Sequence, residues 1–313
     1  MDAVEALLAG PRARGAHLLR ALMATPWAIG VRDRAPLTVV ALVTGTACVQ
    51  AEDGTTYPLT SGDVALVRGP EPYVVADKPG RLPTVVVHPG NRCESLDGRP
   101  LEESMRLGVR TWGHGLDAST EMLIGTYVGE GAVSRRLLDW LPPVVVQTAD
   151  ARSAGLVQLL RRETSTEAPG QATVLDRLLD VLVMQTVRWA LDVAGPRAPG
   201  WFTGSQDPVV AAALQAIHDH PEQSWTVAAL AGEAGVSRAS LAKRFSDTVG
   251  ESPIQYLTGW RMDLAADLLA ADPALTIEAV ARRVGYAGAF GFSSAFTRTR
   301  GVSPSAHRRL ATV

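Results

Sequence analysis

Thr226-Val227-Ala228-Ala229-Leu230-Ala231, followed by Gly235-Val236, returns fifty residues later as Thr276-Ile277-Glu278-Ala279-Val280-Ala281, followed by Gly285-Tyr286. With one residue inserted, Leu241 and Phe245 correspond to Phe292 and Phe296. Gly250, Ser252 and Pro253 correspond to Gly301, Ser303 and Pro304. This is a duplicated supersecondary unit, and each copy reads as helix, tight turn, helix. Thr226 and Thr276 are placed to cap the first helix. Ala231 and Ala281 are small where two helices must approach, and Gly235 and Gly285 supply a permissive turn backbone. The second helix buries its Leu/Phe or Phe/Phe pair at spacing i, i+4. Ser252-Pro253 and Ser303-Pro304 then open the next helix, serine as cap and proline at the first helical position. Ile254 to Leu269 reads as a long helix joining the copies and ending near Asp272-Pro273.

Charge separates a structural bundle from a DNA reader. The chain's net charge of -2 is uninformative, but its distribution is not. From Arg282 to Val313 there are six arginines (Arg282, Arg283, Arg298, Arg300, Arg308 and Arg309) and no acid. The second helix of the first copy carries Arg238, Lys243 and Arg244, while Asp263, Asp267 and Asp272 lie on another stretch. Positive charge gathered on the second helices is the footprint of phosphate binding.

The segment Ser205 to Val313 resembles the DNA-binding domain of the AraC/XylS family of regulators. The resemblance rests on Ala229-Leu230-Ala231, Val236-Ser237, Leu241, Phe245, Gly250-Glu251-Ser252-Pro253, Val284-Gly285-Tyr286, Phe292-Ser293-Ser294-Ala295-Phe296 and Gly301-Val302-Ser303-Pro304. His307 departs from it, standing where the family usually has Tyr or Phe before Arg308. The resemblance implies that both recognition helices enter successive major grooves on one face of double-stranded DNA, about 34 Å apart. In the first helix Arg238, Ala239, Ala242 and Lys243 face away from the Leu241/Phe245 side. In the second, Ala289, Phe290, Ser293 and Ser294 hold the matching face. Lys243 suits a guanine contact. Ser240 and Thr297 are placed for phosphates, with Arg244 and Arg298 adding charge. The alanines can read only shape or a thymine methyl.

Ahead of this segment the pattern changes. Leu37 to Val87 holds short apolar runs, such as Leu37-Thr38-Val39-Val40-Ala41-Leu42-Val43 and Thr84-Val85-Val86-Val87, punctuated by Asp53-Gly54, Gly62-Asp63 and Gly69-Pro70. That is a compact antiparallel β-domain, with strands continuing intermittently to about Val146. After Leu141-Pro142-Pro143, Leu156, Leu159 and Leu160 suggest one helix. Val174, Leu175, Leu178, Leu179, Leu182 and Trp189 suggest a second, whose wide apolar stripe is a candidate homodimer contact. The fold class is α+β, with a barrel at 1–147, a helical linker or dimerisation segment at 148–195, and a double helix-turn-helix domain at 205–313. The loop between them runs from Gly195 to Asp207-Pro208.

Regulators with this C-terminal domain commonly carry a cupin-like sensor barrel in front, and Leu59 to Pro70 resembles a cupin's Gly-Asp strand motif. Where a metal-binding cupin would place a histidine stands Tyr73, and no His-x-His pair precedes it. No metal and no cofactor are therefore expected. His88, Cys93 and Glu94 form a weaker mixed set. Trp27, Tyr57, Tyr73, Trp112 and Trp140 are candidates to line an effector pocket, against the plainer reading of core aromatics. Cys48 and Cys93 are a candidate redox pair, against that of small buried hydrophobes.

At 313 residues the chain has room for two domains. Two cysteines are too few for a secreted disulfide scaffold. Met1 to Leu22 reads as neither signal peptide nor anchor, so a cytoplasmic location without a membrane partner is expected. The expected function is sequence-specific transcription regulation modulated by a small molecule or redox signal. The partners are DNA, a possible effector, a second copy and, for an activator, RNA polymerase. A constitutive DNA-bound regulator is the alternative. A cupin-type enzyme lacks support, because no Ser/His/Asp set, paired-carboxylate motif or phosphate loop is found.

Overall fold

The mainly apolar stretch Leu37–Thr44 is a strand buried on both faces up to Val43, and the N-terminal fold is built around it. The computed structural model describes residues 17–127 and 135–311. In chain order the strands are β1 (His17–Met23), β2 (Ala28–Val31), β3 (Leu37–Thr44), β4 (Thr46–Gln50), β5 (Thr56–Thr60), β6 (Val64–Arg68), β7 (Tyr73–Ala76), β8 (Val85–His88), β9 (Arg92–Ser95), β10 (Arg106–Gly108), β11 (Thr111–Gly113), β12 (Thr120–Tyr127) and β13 (Val144–Gln147). They form a seven-stranded sheet, β10-β11-β1-β12-β3-β6-β13, and a six-stranded sheet, β5-β4-β7-β2-β8-β9. All pairings are antiparallel except β1 with β11 and β2 with β8. Alternate side chains of both sheets, such as Val40 and Leu42 from one and Val49 and Val75 from the other, meet in a single core.

The other face of β3 is covered by helices, which explains why its side chains from Leu37 to Val43 are buried on both sides. Helix α1 is Arg135–Trp140. Helix α2 (Ala151–Thr164) packs on β1, β3 and β12. Its start is fixed by a capping box of Asp150 and Ser153. Its far end is tied by Glu121, which accepts from Arg20 Nε and Arg161 Nε, each at 2.7 Å. Helix α3 (Gln171–Ala194) lies so close to β12 that a Cβ at Gly125 would stand 2.6 Å from the Leu179 side chain. The Tyr127 hydroxyl donates to Asp180 on that helix at 3.1 Å.

A second compact unit comprises, among the described residues, 135–137 and 191–311. It begins before the expected boundary. Gly195–Arg197 is a 3-10 turn, and the expected loop contains helix α4 (Gly200–Gly204), whose Trp201 is buried. There follow α5 (Pro208–Asp219), α6 (Val227–Glu233), α7 (Arg238–Val249), α8 (Pro253–Ala271), α9 (Ile277–Arg283), α10 (Ala289–Arg300) and α11 (Pro304–Ala311). α8 is the long connecting helix, and its Ser252–Gln255 capping box opens it with Pro253 in the first turn.

Candidate nucleic-acid interface

The two helix-turn-helix units, α6–α7 and α9–α10, are built by the residues that mark the repeat. Thr226 and Thr276 accept from the amides of Ala229 and Ala279, both at 3.1 Å. Gly285 sits at φ +82°, and a Cβ there would also lie 2.6 Å from Arg261 Nη2 and from the Glu222 carbonyl. Both the turn and the close packing thus require glycine. Leu241 and Phe245, and Phe292 and Phe296, are fully buried. His307 keeps an aromatic contact in place of the usual ring, edge-on to Phe296 with centroids 5.5 Å apart.

The helix starts differ between units. Ser237 caps α7 through the Ser240 amide at 3.2 Å. α10 has Gly288 at that place, with no side chain to cap it. Glu278 of α9 reaches across instead, its Oε2 accepting from the Ala289 amide at 2.9 Å. Sequence reasoning did not single out Glu278; the glycine at a cap position was the available signal.

Phe290, Ser293, Ser294, Thr297 and Arg298 line one shallow hollow on α10, so five of the expected contact residues share a face. Phe290 is 90% exposed, which is unusual for so large an apolar side chain. On α7, Arg238, Ala239, Lys243 and Arg244 are exposed, and Ser240 and Ala242 half-exposed.

Several charges are already engaged. Lys243 Nζ lies 2.6 Å from Asp247 one turn on. Arg244 grips Asp207 with Nε at 3.1 Å and Nη2 at 2.7 Å, while that carboxylate also caps α5. Of the six C-terminal arginines, Arg300 donates to Asp263 at 2.7 Å and Arg308 to the Leu275 carbonyl at 2.6 Å. These two hold the fold together. Within the same unit Arg136 Nε also reaches Asp263, at 2.6 Å, and its guanidinium lies 4.5 Å from the Tyr256 ring centroid. The positive face is therefore narrower than the count of arginines suggests.

Comparison with known proteins agrees with this geometry. A cupin family model matches residues 2–192 and a helix-turn-helix domain model matches residues 230–310. An AraC-like transcription regulator of Streptomyces lividans is 34% identical, with 100% of each chain covered. The chain belongs to the AraC-like transcription regulators. The transcriptional regulator AlkR of Acinetobacter baylyi is 30% identical, over 90% of this chain and 91% of its own. Among solved structures, the DNA-binding domain of AdpA in complex with a target DNA is 30% identical, covering 33% of this chain and 91% of its own with a TM-score of 0.31.

The cupin domain of this AraC-type regulator holds a half-open cavity of about 300 Å³ between its sheets. Tyr73 and Trp112 line it as expected. Trp27 and Tyr57 do not. Trp27 is fully buried in the core, and Tyr57 packs half-buried against that core. Trp140 ends α1 outside the cavity. The cysteines are not brought together. β4, carrying Cys48, and β9, carrying Cys93, lie four strand steps apart, roughly 19 Å at the usual strand spacing and beyond the reach of a disulfide within one chain. Cys48 packs with Ala28 and Ala76 in a separate small cluster, whereas Cys93 lines the cavity. Burial pushes both thiols up, Cys93 to about 11, so neither is poised as a thiolate. His88 Nε2 pairs with Glu94 Oε1 at 2.7 Å, and Cys93 points to the opposite face of β9. Among the described residues no cluster of three or more His, Cys, Asp or Glu is placed to hold a metal, and no helix is long and apolar enough to cross a membrane.

Proposed function

We propose that this DNA-binding transcription regulator inserts α7 and α10 into successive major grooves on one face of its site, and that a small molecule in the cupin cavity modulates it. The observation that carries the first part is the shared face of Phe290, Ser293, Ser294, Thr297 and Arg298, none of them acidic. α10 supplies the stronger non-specific grip through Arg298 and apolar contact through Phe290. Lys243 and Arg238 supply the polar readout from α7, and Ser240 and Thr297 bond phosphates. The protein works in the cytoplasm as a homodimer, and an activating role would add RNA polymerase as a partner. Separated, protonated cysteines favour a bound small molecule over an intramolecular redox switch. The cavity, in turn, favours modulation over constitutive binding. Hydroxyl-radical footprinting of sites recovered from genomic DNA tests the DNA reading. Two protected patches about one helical turn apart on the same face are expected. A single patch would leave one of the helices without its role.

A further inference from the structure

Phe290 is a large apolar side chain with no place in the core. It stands exposed at the second position of α10, whereas Phe292 and Phe296 of the same helix are fully buried. The fold gains little from such a ring, and the water around it is a cost that a partner surface would remove. Its neighbours indicate the partner. Phe290, Ser293, Ser294 and Thr297 follow one another at i, i+3, i+4 and i+7, so they form one stripe beside the same hollow.

The polar groups of α10 leave base recognition to that ring. Two hydrogen bonds to one base edge take an Arg, Lys, Asn or Gln, and none occurs from Ala289 to Thr297. Serine and threonine hydroxyls both donate and accept, so they discriminate weakly between base edges. Arg298 stands eight positions beyond Phe290, about 12 Å along the helix axis, and Arg300 is bound to Asp263. By the correspondence of Leu241 with Phe292, α7 has Ala239 in the place of Phe290 and Lys243 in that of Ser294. The long apolar side chain is thus particular to α10. At the start of α10 the Ala289 amide is already taken by Glu278 Oε2 at 2.9 Å, and a carboxylate there repels a phosphate. The end of the helix that carries Phe290 therefore suits base edges better than the sugar-phosphate backbone. In unmodified DNA the apolar group that the major groove offers is the 5-methyl of thymine.

We propose that Phe290 is a specificity-determining residue of this regulator, and that it reads thymine methyl groups in the half of the site that α10 enters. This rests on the reading of α10 as a groove helix.

The experiment titrates the full-length protein, by fluorescence anisotropy, on a duplex carrying the site whose two protected patches the footprint defines. Thymines in both patches are replaced one at a time by deoxyuridine, which removes the methyl group and keeps every hydrogen-bonding group. One or two neighbouring positions in one patch should weaken the wild-type protein about three- to tenfold each. Phe290→Ala should weaken the thymine duplex by a similar factor and lose the penalty at those positions, binding thymine and deoxyuridine within about twofold. Phe290→Leu, still apolar, should keep part of the preference. Both variants should melt with the wild type, because the ring is exposed. Cytosine against 5-methylcytosine at the sensitive position is the converse arm: the methyl group should tighten the wild type and not Phe290→Ala. A deoxyuridine penalty that survives in Phe290→Ala overturns the assignment, as does the absence of any sensitive thymine. Unchanged affinity of Phe290→Ala on every duplex, with transcription from the site impaired, would make Phe290 a protein-docking residue and overturns it as well. A wild-type protein that leaves no paired footprint fails the groove-helix reading itself and takes this inference with it; a paired footprint without methyl dependence removes the inference alone.

Discussion

Lys243 and Arg298 look alike in the sequence but stand in different surroundings. Because Leu241 corresponds to Phe292, Lys243 corresponds to Ser294 and Asp247 to Arg298. The first recognition helix thus carries an acid where the second carries Arg298, and Asp247 already holds Lys243. Arg298→Ala should weaken binding to all sequences alike and lower the salt slope by about one. Lys243→Ala should weaken the preferred site roughly five- to a hundredfold, relaxing base choice there, if it meets a base edge. Asp247→Ala should tighten binding and steepen the salt dependence. Gel-shift titrations over a salt series check all three, and unchanged affinity in the first two would remove these helices from the interface. A residue outside the interface contributes to the acid response of the same unit. His218 is 4% exposed and shares a hydrogen bond with the Tyr256 hydroxyl at 2.9 Å. Burial, then the nearby Arg136, lowers its imidazole from 6.5 to about 3. A histidine depressed on folding lends stability that is present above its unfolded value and is lost as pH falls between 6.5 and about 3. Asp267 of the same unit, pushed up to about 7 by burial, works in the opposite direction over most of that window, so the contribution of His218 is read as a difference: on acidification through it the melting temperature of the full-length chain should fall relative to that of His218→Gln, which can still bond Tyr256. Equal losses would place the sensitivity elsewhere.

At the scale of elements, legibility followed the physics of each pattern. The helix-turn-helix units could be read because their caps, turn glycines and buried pairs are local, and duplication repeats each signal. β1 and β2 fall before the run at Leu37 and outside the expected strands, since Arg20 interrupts the first and the second is only four residues long and buried throughout, so neither alternates clearly. Helix α3 was legible as a helix, but not for which side of it faces inward. Leu175, Leu179 and Leu182 are buried within the cupin unit, which corrects their expected place in a contact between subunits. A wide stripe records only that burial occurs, not what does the burying. The outward residues are Val174 and Val181, each more than 40% exposed, with Leu178 half-buried between them at helical spacing. If two copies associate through α3, this is the face that remains for it. Replacing Leu178 and Val181 with lysine should give a folded monomer by sedimentation, still able to bind a single half-site. A folded variant that stays dimeric would move the contact off α3. Leu182→Lys, by contrast, should damage the fold, because it places a charge in a fully buried position.

For the whole molecule, the division into a β-rich part and a helical part is visible in the change of period, but its exact position is not. Pro196, Pro199 and Gly200 advertise a loop, and the structure uses the same residues to start a short helix. α4 sits against α7, and a Cβ at Gly200 would fall 2.5 Å from the Val249 carbonyl oxygen. Trp201 is 6% exposed beside it, and Gly204 meets Val210 and Val249. The chain just before Ser205 therefore supports the first recognition helix directly. Two fragments separate this arrangement from a plain linker. The one from Gly195 onward retains α4 and should fold, bind one site, and unfold cooperatively in urea. The one from Ser205 onward loses Trp201 and should be less stable by about 3 kcal/mol or more, the scale for removing a buried tryptophan. If the full chain pairs as proposed, both should bind more weakly than it does, because joining two DNA-binding heads raises the effective concentration of the second at a double site. Urea titrations of the two fragments decide the boundary: equal midpoints and slopes would mean that α4 contributes nothing and that the reader begins at Ser205 after all.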